Sequence, residues 1–405
     1  MRKILQKILK IAAKLMLLRY KPKIIAVTGS VGKTSAKDAI YAVLENDFNV
    51  RKSEKSFNNE IGVPLTILGI GSAGKNVFLW IWNLLKVISY FIWTKYPKIL
   101  VLEFGVDKPG DMDYLLEIAK PDIAVVTAIG DIPAHIEKFS GSAEVVKEKS
   151  KLVKAVSKDG IVILNCDYDS VASMEHRTRA RVLTYGFLSE AKLKIHKSDT
   201  GIQESGIFLS SSFKVEYEGS VVPVRLNAFG VPSIYAAVAA CAVGIALDMN
   251  LVEISQALLK NKTPKSRMNI LEGIHHSVIL DDSYNASPES MKEALNSLKN
   301  IKAKRKVAVF GSMLEIGRYS EDSHRDVGKV ASAFCDLIIT VGDKAIFIAD
   351  EALKNGFKKG ENLFVFENSD ELAKKIKNFI KEDDLILFKG SRGVKLETAI
   401  KEVLT

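Results

Sequence analysis

Residues 27–35 read VTGSVGKTS, and the conformation these residues require decides the fold. The run Lys23-Ile24-Ile25-Ala26-Val27-Thr28 is apolar and β-prone, and it feeds Gly29-Ser30-Val31-Gly32-Lys33-Thr34-Ser35, after which a helical pattern begins. Gly29 and Gly32 permit positive φ and leave no side chain in the way of a bound group. The N–H groups of such a turn point inward at the start of a helix, where the dipole favours an anion. Lys33 is placed to reach terminal phosphates, and the Thr34 hydroxyl is suited to Mg²⁺. The spacing is a shortened Walker pattern, since Val27 stands where the longer form has its first Gly. Thr28, Gly29, Ser30, Val31, Gly32, Lys33, Thr34 and Ser35 are thus the phosphate-binding candidates.

Outward from this turn the chain alternates strands and helices. Strands are expected at 23–28, 98–104, 122–127 and 161–165, with helices at 34–45, 112–119 and 143–156, which is the pattern of a parallel sheet. Residues 193–226 alternate apolar and polar positions and predict an antiparallel excursion. A helix follows from Ile234 to Ala246, and Asn261 to Ser266 read as a linker. A second series has strands at 277–282, 306–311, 336–341, 362–366 and 384–389, with helices at 288–299, 323–334, 344–354, 369–380 and 394–403. The fold class is therefore α/β. A central P-loop NTPase-like parallel sheet domain (23–265) is joined to a C-terminal Rossmann-like doubly wound domain (266–405).

The chain of 405 residues carries a net charge of +10, but residues 1–23 hold eight cations and no acid. The remainder is close to neutral, which excludes nucleic acid as the partner. Residues 1–22 predict a basic amphipathic helix, with Lys3, Lys7, Lys10 and Lys14 on one face and Ile4, Leu5, Ile8, Leu9, Ala12, Leu15 and Met16 on the other. Such a helix is drawn to anionic lipid. A Trp-rich insertion, 77–97, contains Trp80, Trp82 and Trp93 and one charge in 77–94, Lys86. Trp favours the membrane boundary, so this segment is expected to be interfacial. Three scattered cysteines, Cys166, Cys241 and Cys335, fit a reducing cytoplasm.

Several polar clusters fall at C-terminal strand ends, the edge at which such sheets bind ligands. They include Glu103-Phe104-Gly105, the His135 loop, Asp281 to Pro288, Gly311 to Gly317 and Lys389-Gly390-Ser391-Arg392. Asn58-Asn59-Glu60-Ile61-Gly62-Val63-Pro64 is a further polar loop. One crevice lined from two domains is expected.

Taken together, TGSVGKT, NNEIGVPLT, LEFG, the His135 loop, DDSYNASPESM, GSMLEIG with His324 following, and KGSR resemble the Mur ligase family, over residues 23 to about 403. The resemblance implies an ATP-dependent amide-bond ligase of peptidoglycan precursor synthesis, adding D-Ala-D-Ala to a muramoyl tripeptide through an acyl phosphate. It implies Lys33, Glu103, His135 and Lys149 as catalytic residues. It implies Mg²⁺, two ions, held by Thr34, Glu103, His135 and a carbamylated Lys149. Asn59, Arg267, Asp282 and Asn285 would contact the nucleotide, and Ser391 and Arg392 the substrate. The pattern departs from the family at Gly230 to Ala236, so different adenine contacts are expected. It departs also before residue 23, where a UDP-sugar domain is usual, so a lipid-linked or other envelope or cofactor substrate is the alternative. A non-catalytic, membrane-associated ATP-binding protein is a further one. The expected location is cytoplasmic, peripheral on the inner face of the plasma membrane.

Overall fold

A computed structural model describes residues 2–54, 56–74, 76–93, 95–202, 209–260 and 264–405. Residues 261–263 of the expected linker and the side chain of Trp93 lie outside that description.

The chain opens with helix α1 (Arg2–Tyr20), then β1 (Lys23–Thr28), α2 (Lys33–Leu44), β2 (Val50–Lys52), α3 (Gly62–Leu68), α4 (Val77–Trp93) and β3 (Ile99–Glu103). It continues with α5 (Asp111–Ile118), β4 (Ile123–Val126), α6 (Ser142–Ala155), β5 (Ile161–Asn165), α7 (Asp169–Ala172) and β6 (Arg181–Gly186). Strands β7 (Leu193–Ile202), β8 (Leu209–Tyr217) and β9 (Ser220–Leu226) precede α8 (Val231–Ala246) and α9 (Leu251–Leu258). The sheet order is β2-β3-β1-β4-β5-β6-β7-β8-β9. It is parallel through β7 and antiparallel from β7 to β9, as the alternation at 193–226 predicts.

The parallel strands are buried on both faces, which is why β1 reads as a continuous apolar run. Ile25 and Val27 face one core with α2 and α8, and Ile24 and Ala26 face another with α1 and α3. Strand β1 pairs with β3 on one side and β4 on the other, so the phosphate turn leaves the sheet at its centre.

The second domain contains β10 (Asn269–Glu272), β11 (Val278–Asp282), α10 (Pro288–Asn300), β12 (Arg305–Gly311), α11 (Ser320–Ser332), β13 (Leu337–Val341), α12 (Ile346–Lys354), β14 (Leu363–Phe366), α13 (Ser369–Ala373), β15 (Asp384–Lys389) and α14 (Glu397–Glu402). Its sheet order is β10-β11-β15-β12-β13-β14, parallel except for β10. One expected helix is broken: 369–380 stops at Ala373 and resumes as a 3₁₀ turn at Ile376–Phe379.

The two lipid-seeking segments need correction. The apolar residues of α1 do not form one face turned outward. Leu9, Ala13 and Met16 are buried in the protein's own core, while Ile4, Ile8, Ile11, Leu15 and Leu18 are exposed. Within 77–97 the helix ends at Trp93. Tyr96 is buried and its hydroxyl donates to the Ile67 carbonyl at 2.6 Å, because the chain must re-enter the sheet at Ile99. Among the described residues no helix is long and apolar enough to cross a membrane.

Candidate functional site

The turn after β1 is braced from the neighbouring strand end. Gly29 has φ 148° and Gly32 φ 85°. A Cβ on Gly29 would stand 2.0 Å from Thr127 Oγ1, so glycine is required there for space as well as for conformation. The N–H groups of Ser30 and Val31 donate to the Ala128 carbonyl at 2.7 and 3.2 Å. Thr127 Oγ1 donates to the Val31 carbonyl at 2.6 Å. Thr28 is buried and its hydroxyl donates to the Phe104 carbonyl, so its side chain secures the strand and not a ligand.

Two lysines converge on this turn. Lys33 Nζ donates to the Gly29 and Ser30 carbonyls at 3.0 and 3.3 Å. Lys149 Nζ, buried on α6, donates to the same Gly29 carbonyl at 3.0 Å. Burial lowers the Lys33 pKa, with the Glu103 carboxylate opposing. Burial, and next the nearby Lys33, brings Lys149 down to about 7. A buried amine at that value is half neutral near physiological pH, which makes it nucleophilic.

Glu103, at the end of β3, is buried yet well held. Thr34 Oγ1 donates to Oε2 and Asn58 Nδ2 donates to Oε1, both at 2.9 Å. Arg267 reaches from the second domain and donates to Thr34 Oγ1 at 3.2 Å. A guanidinium thus reaches the hydroxyl that this carboxylate holds. A buried carboxylate and a hydroxyl beside a phosphate turn are the hard oxygen donors that Mg²⁺ takes. Among the described residues no group of three or more His, Cys, Asp or Glu is arranged as a metal cluster.

His135 is a bridge between domains. Its backbone is left-handed, φ 65°, which turns the ring toward the second domain. Nδ1 lies 2.9 Å from Glu315 Oε2, and Nε2 lies 3.3 Å from Asp107 Oδ1. Burial lowers its pKa against the pull of both carboxylates.

From the second domain come the ends of β11, β12 and β15. Asp282 pairs with Lys389, and burial raises the Asp282 pKa against that pull. Lys389 also donates to the Asn285 carbonyl at 3.2 Å. The Arg267 guanidinium lies 4.2 Å from the centre of the Tyr284 ring, and Arg392 lies 5.8 Å from it. Ser391 is buried, accepts from the Leu314 N–H at 2.9 Å and donates to the Ala286 carbonyl. His324 Nε2 accepts from the Met313 N–H at 2.8 Å, and its Nδ1–H donates to the Ser320 carbonyl at 2.6 Å. These two side chains hold the Gly311–Gly317 loop in place, so Ser391 sits in the wall as a buttress.

The result is a cleft of about 510 Å³ between the two domains. Of the residues singled out in the sequence, it is lined by Ser30, Val31, Gly32, Lys33, Ser35, Glu103, His135, Arg267, Asp282, Asn285, Ser391 and Arg392. Thr28, Gly29, Thr34 and Lys149 lie outside that lining. Asn59 is not part of it either: its Oδ1 accepts the N–H groups of Ile61 and Gly62 and caps α3. Its neighbour Asn58 is the residue that faces the cleft. Sequence reasoning also missed Asp107, Tyr284 and Ser56. The first stands four residues past Glu103, and Tyr284 lies inside the quoted DDSYNAS run, so nearness to a strand end was the available signal. At Gly230 to Ala236, Pro232 and Ser233 line the cleft, while the Tyr235 hydroxyl donates to Asp167 at 2.7 Å.

Comparison with known proteins gives one answer. The Mur ligase middle domain matches residues 27–80 and 84–244, and the Mur ligase glutamate ligase domain matches residues 266–392. The UDP-N-acetylmuramoyl-tripeptide–D-alanyl-D-alanine ligase of Bacillus subtilis is 29% identical over 395 residues, covering 97% of this chain and 78% of that one. Its counterpart from Rickettsia prowazekii is 31% identical over 390 residues, covering 94% and 78%. The crystal structure of the MurF ligase from Thermotoga maritima in complex with ADP superimposes with a TM-score of 0.80 at 25% identity, covering 98% of this chain and 83% of that one.

Proposed function

The chain belongs to the Mur ligase family, and on that premise we propose that it is an ATP-dependent peptide ligase that joins D-Ala-D-Ala to a muramoyl tripeptide in peptidoglycan precursor synthesis. The observation that carries this reading is the two-sided cleft. A phosphate turn with Lys33 and Glu103, which Thr34 holds from behind, forms one wall, and Arg267, Asp282 and Arg392 form the other.

The reaction needs two things of this geometry. The γ-phosphoryl group carries charge that must be neutralised as it passes to the tripeptide carboxylate. The incoming amine must then meet the acyl phosphate before water does. Lys33, released from the Gly29 and Ser30 carbonyls, supplies charge at the phosphates. Arg392 is suited to grip a substrate carboxylate bidentately. Arg267, Asp282 and Asn285 take the nucleotide from the second domain. The bridges at His135–Glu315, Thr34–Arg267 and Ser56–Tyr284 join the two walls of the cleft, and closure of this kind would shield the acyl phosphate from water.

Mg²⁺ would be held by Thr34 and Glu103, with His135 and Lys149 toward a second ion, and would supply electrophilic stabilisation of the transferring phosphoryl group. Lys149 fits a carbamate: its neutral Nζ attacks CO₂, an N–C bond forms, and one proton leaves to solvent. The product is an anion where a cation stood. Consumption of ATP and the three buried, unpaired cysteines support a cytoplasmic reaction. Contact with the inner face of the plasma membrane is proposed for the outer surface of α1 and α4.

The test is phosphate release from ATP and Mg²⁺, with and without D-Ala-D-Ala and the UDP-linked muramoyl tripeptide, at low and raised bicarbonate. Release should require both substrates and give a pentapeptide by mass. It should rise with bicarbonate in the natural protein and not in Lys149→Met. Release without any acceptor, or no ligated product, overturns the ligase reading. Equal bicarbonate response in both proteins removes the carbamate alone.

A further inference from the structure

Helix α1 presents three different faces. Leu9, Ala13 and Met16 are buried in a core shared with α3 and the sheet. On the far side Ile4, Ile8, Ile11, Leu15 and Leu18 are exposed, Leu18 to 70%. Their spacing of four and three residues draws one continuous stripe along the helix. Lys3, Lys7 and Lys14, all exposed, border that stripe. Lys10, nearer the protein, is taken up by Glu117 and by the Tyr114 ring.

Helix α4 repeats the arrangement. Asn83 and Val87 are buried, with Asn83 donating to the Gly71 carbonyl at 2.9 Å. The opposite side exposes Phe78, Ile81, Trp82, Leu85 and Ile88, with Phe78 84% accessible. Its single charge, Lys86, lies over the Trp82 ring. The two helices are tied at their ends: the Tyr20 hydroxyl donates to the Tyr90 carbonyl at 3.0 Å, and the Arg19 guanidinium covers the Phe91 ring.

Two outward apolar stripes on linked helices exceed what a water-facing surface ordinarily leaves open. We infer that α1 and α4 form a two-helix platform that seats on an anionic lipid surface. The stripes enter the boundary between headgroups and acyl chains, and the lysines meet lipid phosphates. Charge decides the occupant. A second copy would bring one all-cationic α1 edge against another in a two-fold interface, whereas an anionic bilayer supplies the missing sign. Trp82 is suited to that boundary, having an apolar body and an N–H. The contact is peripheral, since neither helix is long and apolar enough to cross. Gln6 donates to Glu60 at 2.9 Å, so the platform abuts the loop that carries Asn58 into the cleft.

The surface is independent of the reaction, and one experiment reads both. The full chain is sedimented with phosphatidylcholine vesicles, with and without phosphatidylglycerol, while soluble-substrate ligation is measured in the same samples. The natural protein should partition onto the anionic vesicles, shift its Trp emission to shorter wavelength and be released by salt. Ile8→Glu with Leu15→Glu, and separately Trp82→Ser with Leu85→Ser, should each lower partitioning at least about tenfold. Lys3→Gln, Lys7→Gln and Lys14→Gln together should lower it about a hundredfold. Circular dichroism and ligation should stay unchanged, because every one of these side chains is exposed. No partitioning, or equal and salt-insensitive partitioning onto neutral vesicles, overturns the proposal. So does a dimer in solution that the stripe substitutions dissociate.

Discussion

Gly29 shows what one residue decides. Its φ of 148° and the 2.0 Å approach to Thr127 Oγ1 mean that any side chain must displace the strand end that braces the turn. Gly29→Ala should cost about 1–3 kcal/mol of stability and abolish measurable nucleotide binding by calorimetry. Adding Thr127→Ala removes the hydroxyl and leaves the strain in φ with milder contacts at 3.2 Å to the Ala128 carbonyl and the Cβ of residue 127. The double variant should therefore lose less stability than the two single losses added together; strict additivity would mean the clash is not the cause. The glycine was legible in the sequence because its neighbours fix its conformation. The choice between Asn58 and Asn59 was not. Both side chains are polar and adjacent, and only the direction of the loop entering α3 decides which caps the helix and which meets Glu103.

At the scale of elements, α11 serves the site through His324. The ring is buried and neutral, accepting from the Met313 N–H and donating to the Ser320 carbonyl, and burial lowers its pKa. The sign of the pH effect follows. As pH falls, the unfolded chain takes up the proton near 6.5, before the folded one does. Stability therefore falls below about pH 6.5. His324→Gln should remove this part of the acid sensitivity, at a cost of about 1–3 kcal/mol near neutrality from the disturbed Met313 N–H. Urea unfolding from pH 8 to 5.5 reads both effects, and parallel curves would exclude a titrating His324. The elements themselves were largely legible. Alternation marked β7 to β9, and continuous apolar runs marked the parallel strands. The sequence reading passed over β2, β10, α3, α7 and α9, because three or four partly exposed residues, or a single helical turn or two, carry too little periodicity to register, and it passed over β6, whose mostly buried RVLTYG run does not alternate strictly.

At the scale of the molecule, the two domains meet through a few polar bridges around the cleft. Ser56 and Tyr284 share a hydrogen bond of 2.6 Å, Arg267 reaches Thr34, and Glu315 meets His135. Each such bond contributes about 1 kcal/mol net, so closure is adjustable. Tyr284→Phe with Glu315→Gln should shift the domains toward an open form. X-ray scattering should show a larger radius of gyration, and ADP affinity should fall about fivefold to tenfold with the closed population. An unchanged radius with unchanged affinity would mean that the remaining contacts, Arg267–Thr34 and the apolar ones around Ile136 and Phe229, hold the domains.

The sequence by itself determined the phosphate turn, the two alternating series and the family. Each of these is encoded in contiguous residues whose backbone preferences and periodicities act locally. Only the tertiary structure decided three further matters. It paired Glu103 with Thr34 and Asn58, and it brought Arg267 across the cleft to Thr34. It buried Lys149 against Gly29, which moves the amine to about 7. It also divided the apolar residues of α1 between the core and the surface. All three depend on which distant segments come to lie beside a residue, and burial, desolvation and pairing are properties of that neighbourhood rather than of the residue.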